Sequence, residues 1–156
     1  MHWYAVKVRW KRTGQVLDML DRKGVDYYTQ KIVPSFMFIH TDEATVQLIR
    51  HEEYENGFNR LHVYVDKESH RPIVVPDHEL EVFRIVTTAA QSGLEFLDED
   101  PSVYQTGDKV RVVDGPFKGA EGYIKRIKKD RRLVVTISGV AAIATSYIPP
   151  ELLEKI

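Results

Sequence analysis

From His2 to Val8, HWYAVKV, apolar and polar positions alternate with a period of two, which predicts a strand. The period then lengthens. Val16, Leu17 and Leu20 fall on one face of a short helix that Thr13 is placed to cap and Gly24 to end. VDYYTQKI and SFMFIHT return to the strand pattern. Asp42 is placed to cap a second helix carrying Ala44, Val46, Leu48 and Ile49, and RLHVYV reads as another strand. Pro76 and Asp77 open a third helix in which Leu80, Phe83, Val86 and Ala90 recur at helical spacing, with Gly93 as its stop. Strands interleaved with helices predict an open sheet flanked by helices.

Near residue 100 the pattern changes. The stretch Asp98, Glu99, Asp100, Pro101, Ser102 is acidic and reads as a linker, and beyond it no helical period returns until the last few residues. In GDKVRVVDGPFKGAEGYIKRI, Val110 and Val112 point one way along a strand that runs into a turn at Gly115-Pro116. Gly119 is expected at positive φ. Gly122 lies inside the next strand, where a missing side chain marks a bulge or a bend. RRLVVTIS and AIATSYI supply further strands, joined through the basic turn KRIKKDRR and through Ser138-Gly139. Four or five short strands in about fifty residues predict a small closed β-barrel. Leu133-Val134-Val135-Thr136-Ile137 is β-branched at four of five positions, so this segment is expected to resist becoming helix.

Composition narrows the chemistry. None of the 156 residues is cysteine, which excludes disulfides, thiolate nucleophiles and cysteine zinc sites and fits a reducing, cytoplasmic compartment. The N-terminus lacks a signal-peptide pattern, and no window approaches the roughly 18 apolar residues of a membrane span, so no membrane association is expected. Net charge is −1 overall, but residues 1–98 hold 12 Lys+Arg against 15 Asp+Glu and residues 99–156 hold 10 against 8, net −3 and +2. Any anion-binding surface must therefore be local.

Two such surfaces stand out. Lys7, Arg9, Lys11 and Arg12 cluster around Trp10. They read either as phosphate contacts beside a ring that stacks on an unpaired base, or as solvated surface. Lys125, Arg126, Lys128, Lys129, Arg131 and Arg132 crowd one hairpin around Asp130, more cations than a turn needs, which suggests RNA or an acidic partner surface. Catalysis finds no support. His51-Glu52-Glu53 begins like a zinc-protease helix, but Glu55 stands where the second histidine belongs. Gly115 to Gly119 lacks the Gly-Lys-Ser/Thr end of a phosphate-binding loop, and there is no Gly-x-Ser-x-Gly elbow. A binding protein is expected, not an enzyme, with no cofactor and no metal.

The glycine-rich run resembles the KOW motif of the NusG-like transcription elongation factors, with Val110, Val112, Gly115, Pro116, Phe117, Gly119 and Gly122 at the expected places. WYAV at residues 3–6 is similar to the opening strand of the NusG N-terminal domain. VPSFMFIH at 33–40 is similar to its Phe-Pro-Gly-Tyr-x-x-Val strand, and RPIVVPDHEL at 71–80 to the entry of its last helix. The ending RRLVVTISGVAAIATSYIPPELLEKI is most similar to the specialised UpxY-type paralogues, antitermination factors of polysaccharide operons in Bacteroides-like bacteria.

The resemblance implies an α+β chain: an N-terminal antiparallel sheet flanked by helices over residues 1–95, a linker over 96–104, and a small SH3-like KOW β-barrel over 105–156. It also implies a monomeric regulator of transcription elongation. Its N-terminal domain would dock on the clamp helices of RNA polymerase through Tyr4, Phe36, Phe38 and Ile73 and suppress pausing or termination. Bare strand patterning leaves these apolar residues open between sheet core and contact patch, with Phe36 and Phe38 bound to share one fate because they share a face. The resemblance sets the basic cluster at Trp10 in the region where specialised paralogues meet the exposed non-template DNA strand; nascent RNA is a further expected partner, and the barrel would meet the ribosome or a termination factor. The alternative is a KOW-type RNA-binding or ribosome-associated module. Two departures from the family pattern stand out. YYTQKIVPSF is short where the family has a longer charged loop, and Ser35-Phe36 replaces glycine or asparagine followed by tyrosine.

Overall fold

The computed structural model describes residues 1–31, 33–89, 93–97 and 99–156; Ala90 and Asp98 lie outside the described residues. The chain divides into two compact units, Met1–Pro76 and Asp77–Ile156.

In the first unit β1 (His2–Val8), α1 (Thr13–Lys23), β2 (Asp26–Tyr28), β3 (Phe36–Thr41), α2 (Glu43–Arg50), a π-helical turn (His51–Glu55), β4 (Leu61–Val63) and β5 (Val74–Val75) follow one another. The sheet order is β2-β3-β1-β4, and β5 also pairs with β1; the ladders are antiparallel. Alternation along the strands sorts the faces. Tyr4, Val6 and Val8 of β1, Met37 and Ile39 of β3, and Leu61 and Val63 of β4 meet Val16, Met19 and Leu20 of α1 and Val46 and Ile49 of α2 in one core. Full burial of each such aliphatic side chain contributes about 1.5–3 kcal/mol.

The helix ends follow local chemistry, with one correction. The Asp42 carboxylate accepts the Thr45 N–H at 2.7 Å, and hydrogen bonding by the Thr45 side chain, then by that N–H, holds its pKa below the usual carboxylate value. Gly24 closes α1 in the left-handed region at φ 68°. Thr13, however, is the first helical residue and not the cap; Arg12 occupies the cap without a side-chain bond to the backbone.

The second unit holds α3 (Asp77–Ala89), β6 (Glu95–Leu97), a 3-10 turn (Pro101–Tyr104), β7 (Lys109–Val112), β8 (Glu121–Ile127), β9 (Asp130–Ile137), β10 (Ala141–Tyr147), a second 3-10 turn (Pro150–Leu152) and β11 (Leu153–Lys155). An antiparallel sheet in the order β11-β7-β8-β9-β10-β6 curls around Val110, Val112, Ala120, Leu133, Val135 and Ile148.

Three expectations are corrected here. α3 was expected with the N-terminal sheet, but it belongs to the second unit: Val82 and Val86, with Ile85, pack into the core just named. The Glu79 carboxylate near its start accepts the Ser138 N–H at 2.8 Å and hydroxyl at 3.0 Å. The expected linker at 96–104 is partly sheet, since Phe96 and Leu97 pair with Ile143 and Ala142 of β10. Leu97 and Tyr104 lie over Val134, Ala142 and Ala144, which would otherwise expose an apolar outer face. Finally, the register is regular around Gly122; the irregularity falls in β10 between Ala144 and Tyr147. Gly122 is required for another reason, the close approach of β9, where a Cβ would stand 2.2 Å from the Val134 carbonyl oxygen.

Candidate nucleic-acid interface

The β1–α1 turn is fixed from both sides. The Val8 N–H donates to the Ser35 carbonyl at 2.6 Å, the Arg9 N–H to the Arg60 carbonyl at 2.9 Å, and the Arg12 N–H back to the Arg9 carbonyl at 3.0 Å. Between these anchors Trp10 projects into solvent with 84% of its surface exposed. Lys11 takes φ 62°, an unfavourable conformation for a side chain with a Cβ, and lays its Nζ 4.5 Å from the indole centroid. Lys7, Arg9, Lys11 and Arg12 are all exposed. A large open ring with Lys11 against it and three more exposed cations within three positions along the chain has the chemistry of a stacking platform with phosphate contacts nearby.

The apolar residues expected to meet RNA polymerase do not form one patch. Tyr4 faces α1 and α2 and is core; burial and the nearby carboxylates of Glu43 and Asp42 raise its hydroxyl pKa. Period-two alternation puts it on the face opposite Phe36 and Phe38, because Phe38 is registered against Ala5 and Phe36 against Lys7. Phe36 and Phe38 share that other face, as expected, but at 1% and 0% exposure neither presents its ring to solvent. They pack edge to face at 5.0 Å in a row that continues to Tyr64 at 5.8 Å and Tyr28 at 6.4 Å. Ile73 lies half-buried on the Phe36 face, with its N–H on the Tyr64 carbonyl, and the apolar surface near it that faces solvent is Val74, at 46%.

The β8–β9 hairpin carries its cations in two ways. Lys125 donates to the Thr106 carbonyl and hydroxyl at 2.9 and 2.5 Å, Lys128 meets Glu95 at 3.0 Å, and Arg132 reaches Glu95 at 3.4 Å and Asp130 at 3.7 Å. The Lys128 hydrogen bond is the main cause that lowers the Glu95 pKa. Arg126, Lys129 and Arg131 are exposed and make no ion pair among the described residues. The arrangement is costly. Arg126 faces Arg131 and Lys125 faces Arg132 directly across the ladder, and the two-residue turn Lys128-Lys129 holds both residues at positive φ, 51° and 78°. Gly115 at φ 87° and Gly119 at φ 93° shape the turn before β8, where the Gly119 N–H returns to the Val112 carbonyl.

Residues 106–138 match the KOW motif. The KOW segment thus spans β7, the glycine turn, β8, the basic hairpin and β9. Among solved structures, a chain of the MjSpt4:Spt5 complex in conformation B is similar to this chain at 14% identity with a TM-score of 0.35, over 99% of this chain and 96% of that one. Among the described residues no helix is long and apolar enough to cross a membrane.

Proposed function

We propose that the chain is a NusG-like transcription elongation factor that acts by binding and not by catalysis, holding an unpaired nucleic-acid strand of the transcribing complex on the Trp10 turn while associating with RNA polymerase. The observation that carries this reading is the open Trp10 ring with four exposed cations within three positions of it along the chain, on a chain that also bears a KOW motif. A ligand that binds the moving state of the polymerase better than the paused state shifts the balance by its differential affinity, and a few kcal/mol changes pausing strongly. Suppression of pausing or termination in polysaccharide operons, and work as a cytoplasmic monomer, belong to the same proposal. Since Phe36 and Phe38 are buried, Ile73 and Val74 are the better probes of a polymerase contact.

The test is a transcription complex reconstituted on a scaffold with an exposed non-template strand. The protein should shorten the lifetime of a defined pause several-fold, and Trp10→Ala should remove that effect while leaving the amide spectrum dispersed. In direct titration with single-stranded DNA, Trp10→Ala should cost about 1–3 kcal/mol, roughly 5- to 150-fold in affinity. An unchanged pause lifetime with wild-type protein sinks the reading.

The second reading is a KOW-type RNA-binding or ribosome-associated module, favoured by the like-charged ladder pairs of the β8–β9 hairpin. It predicts that replacing Arg126, Lys129 and Arg131 together by glutamine lowers the salt slope of RNA binding by about 2 and leaves the Trp10-dependent DNA binding intact.

A further inference from the structure

Beside the Trp10 turn, around β4, lies a group of side chains that spacing in the sequence does not bring together. Lys7 stands directly opposite His62 in the β1–β4 register, and alternation puts Arg9 on the same face as Lys7. The Tyr54 hydroxyl, from the π-helical turn, lies 2.9 Å from His62 Nδ1 and accepts the Val63 N–H at 3.0 Å. In the neutral tautomer that carries its proton on Nε2, the Tyr54 hydroxyl donates to Nδ1 and Nε2–H is the outward donor. Arg50, at the end of α2, holds its guanidinium 5.9 Å from the Tyr54 ring centroid, braced by the Gln47 side chain at 2.9 Å and the His70 carbonyl at 3.5 Å.

The charges facing His62 are all of one sign. Lys7 and Arg9 reach it from β1 and Arg50 from α2; Tyr54 and Tyr64, whose ring centroid is 5.7 Å away, add only hydroxyls and rings. The carboxylates of the π-helical turn are engaged elsewhere, Glu53 on Arg60 and Glu52 on Lys23, and Glu55 is exposed. Three cations around a histidine, with no carboxylate paired to them among the described residues, repel one another until an anion arrives.

We propose that Lys7, Arg9, Arg50, Tyr54 and His62 form a phosphate-binding subsite that takes a phosphodiester of the strand whose base stacks on Trp10, an inference that rests on the nucleic-acid reading of that turn. Burial, then the three cations, lower the pKa of His62 in the free protein, so the ring is neutral near pH 7. A bound phosphate opposes those cations and raises the pKa. Binding therefore takes up a proton, and affinity grows as pH falls through the bound-state value, by at most tenfold per unit for one proton. Once protonated, Nδ1–H donates to the Tyr54 oxygen and frees the phenolic proton for the ligand.

The experiment is fluorescence anisotropy of a short labelled oligodeoxynucleotide with the whole chain, between about pH 7.5 and pH 6, over a range of salt. Wild-type affinity should rise about three- to tenfold on acidification. His62→Gln should abolish that rise, and Arg50→Gln or Lys7→Gln should each lower the salt slope by about 0.7. Trp10→Ala should weaken binding at every pH while keeping both the pH dependence and the slope. A pH dependence that survives His62→Gln, or slopes unchanged in both cation variants, overturns the subsite while leaving Trp10 in place. Absence of wild-type binding overturns both. The His62 ring resonances give a second readout independent of folding yield: their titration midpoint should move up when the oligonucleotide is added, and a fixed midpoint overturns the proposal.

Discussion

Gly122→Ala is expected to remove most of the stability of the C-terminal sheet, by about 3 kcal/mol or more. The cause is steric. Gly122 pairs with Val110 of β7 while the back of its Cα faces β9, and a Cβ built there would sit 2.2 Å from the Val134 carbonyl oxygen, 3.0 Å from its carbon and 3.2 Å from a Leu133 methyl. The obstacle is backbone, which cannot rotate aside as a flexible side-chain end could. The sheet must spread where β8 lies between β7 and β9, over the core of Val110, Leu133 and Val135. Urea unfolding followed through amide resonances of residues 105–156 would show the midpoint fall sharply, and an unchanged midpoint would refute the close approach. Gly14 supplies the contrast. It lies in the first turn of α1 with nothing within 4 Å of its would-be Cβ, so Gly14→Ala should leave stability unchanged or raise it by about 0.5–1 kcal/mol.

What the sequence disclosed depended on how far each signal reaches along the chain. Asp42 and Thr45 are three residues apart, and Gly24 follows directly on its helix, so these ends could be read locally. Alternation correctly joined Phe36 with Phe38 and could equally have excluded Tyr4, whose parity across the β1–β3 register puts it on the other face. The spacing of Leu80, Phe83 and Val86 showed that α3 buries a stripe, but an apolar stripe does not name its partner. Val86 of that stripe meets the KOW core, together with Val82 and Ile85, which were absent from that reading.

The stretch Asp98 to Ser102 looked like a linker because its charges suggested solvent. Leu97, inside the expected linker 96–104, instead covers an apolar outer face, and Glu95 just before it serves as the counterion of Lys128 and Arg132. The cluster of cations at Trp10 could be picked out locally, because its members lie within six consecutive positions. Arg50, Tyr54 and His62 could not, because only the register of β4 and the π-helical turn bring them into one place.

That turn is itself held by a buried carboxylate, and Glu53→Ala should cost the N-terminal unit about 3–5 kcal/mol. Glu53 Oε1 accepts the backbone N–H groups of Arg60 at 2.6 Å and Leu61 at 3.2 Å, while Oε2 takes Arg60 Nε at 3.1 Å and Nη2 at 2.6 Å. Removing the carboxylate leaves two amides without partners and a guanidinium largely withdrawn from water at the start of β4, which is why the cost exceeds that of a surface pair. Glu53→Gln should cost less, because one side-chain oxygen can still accept from the two amides, although its NH2 group would face the Arg60 guanidinium.

The two substitutions also separate stability from site geometry. Tyr54 follows Glu53 in the same turn and reaches His62 and Val63 across β4, so loosening the turn should release the Tyr54–His62 contact before the sheet itself melts. In Glu53→Gln, hydrogen exchange at the Val63 amide should therefore accelerate more than at Val6 or Ile39, which lie in the middle of the sheet. Equal acceleration at all three would mean that the carboxylate supports the fold as a whole and plays no particular part in holding Tyr54 against β4.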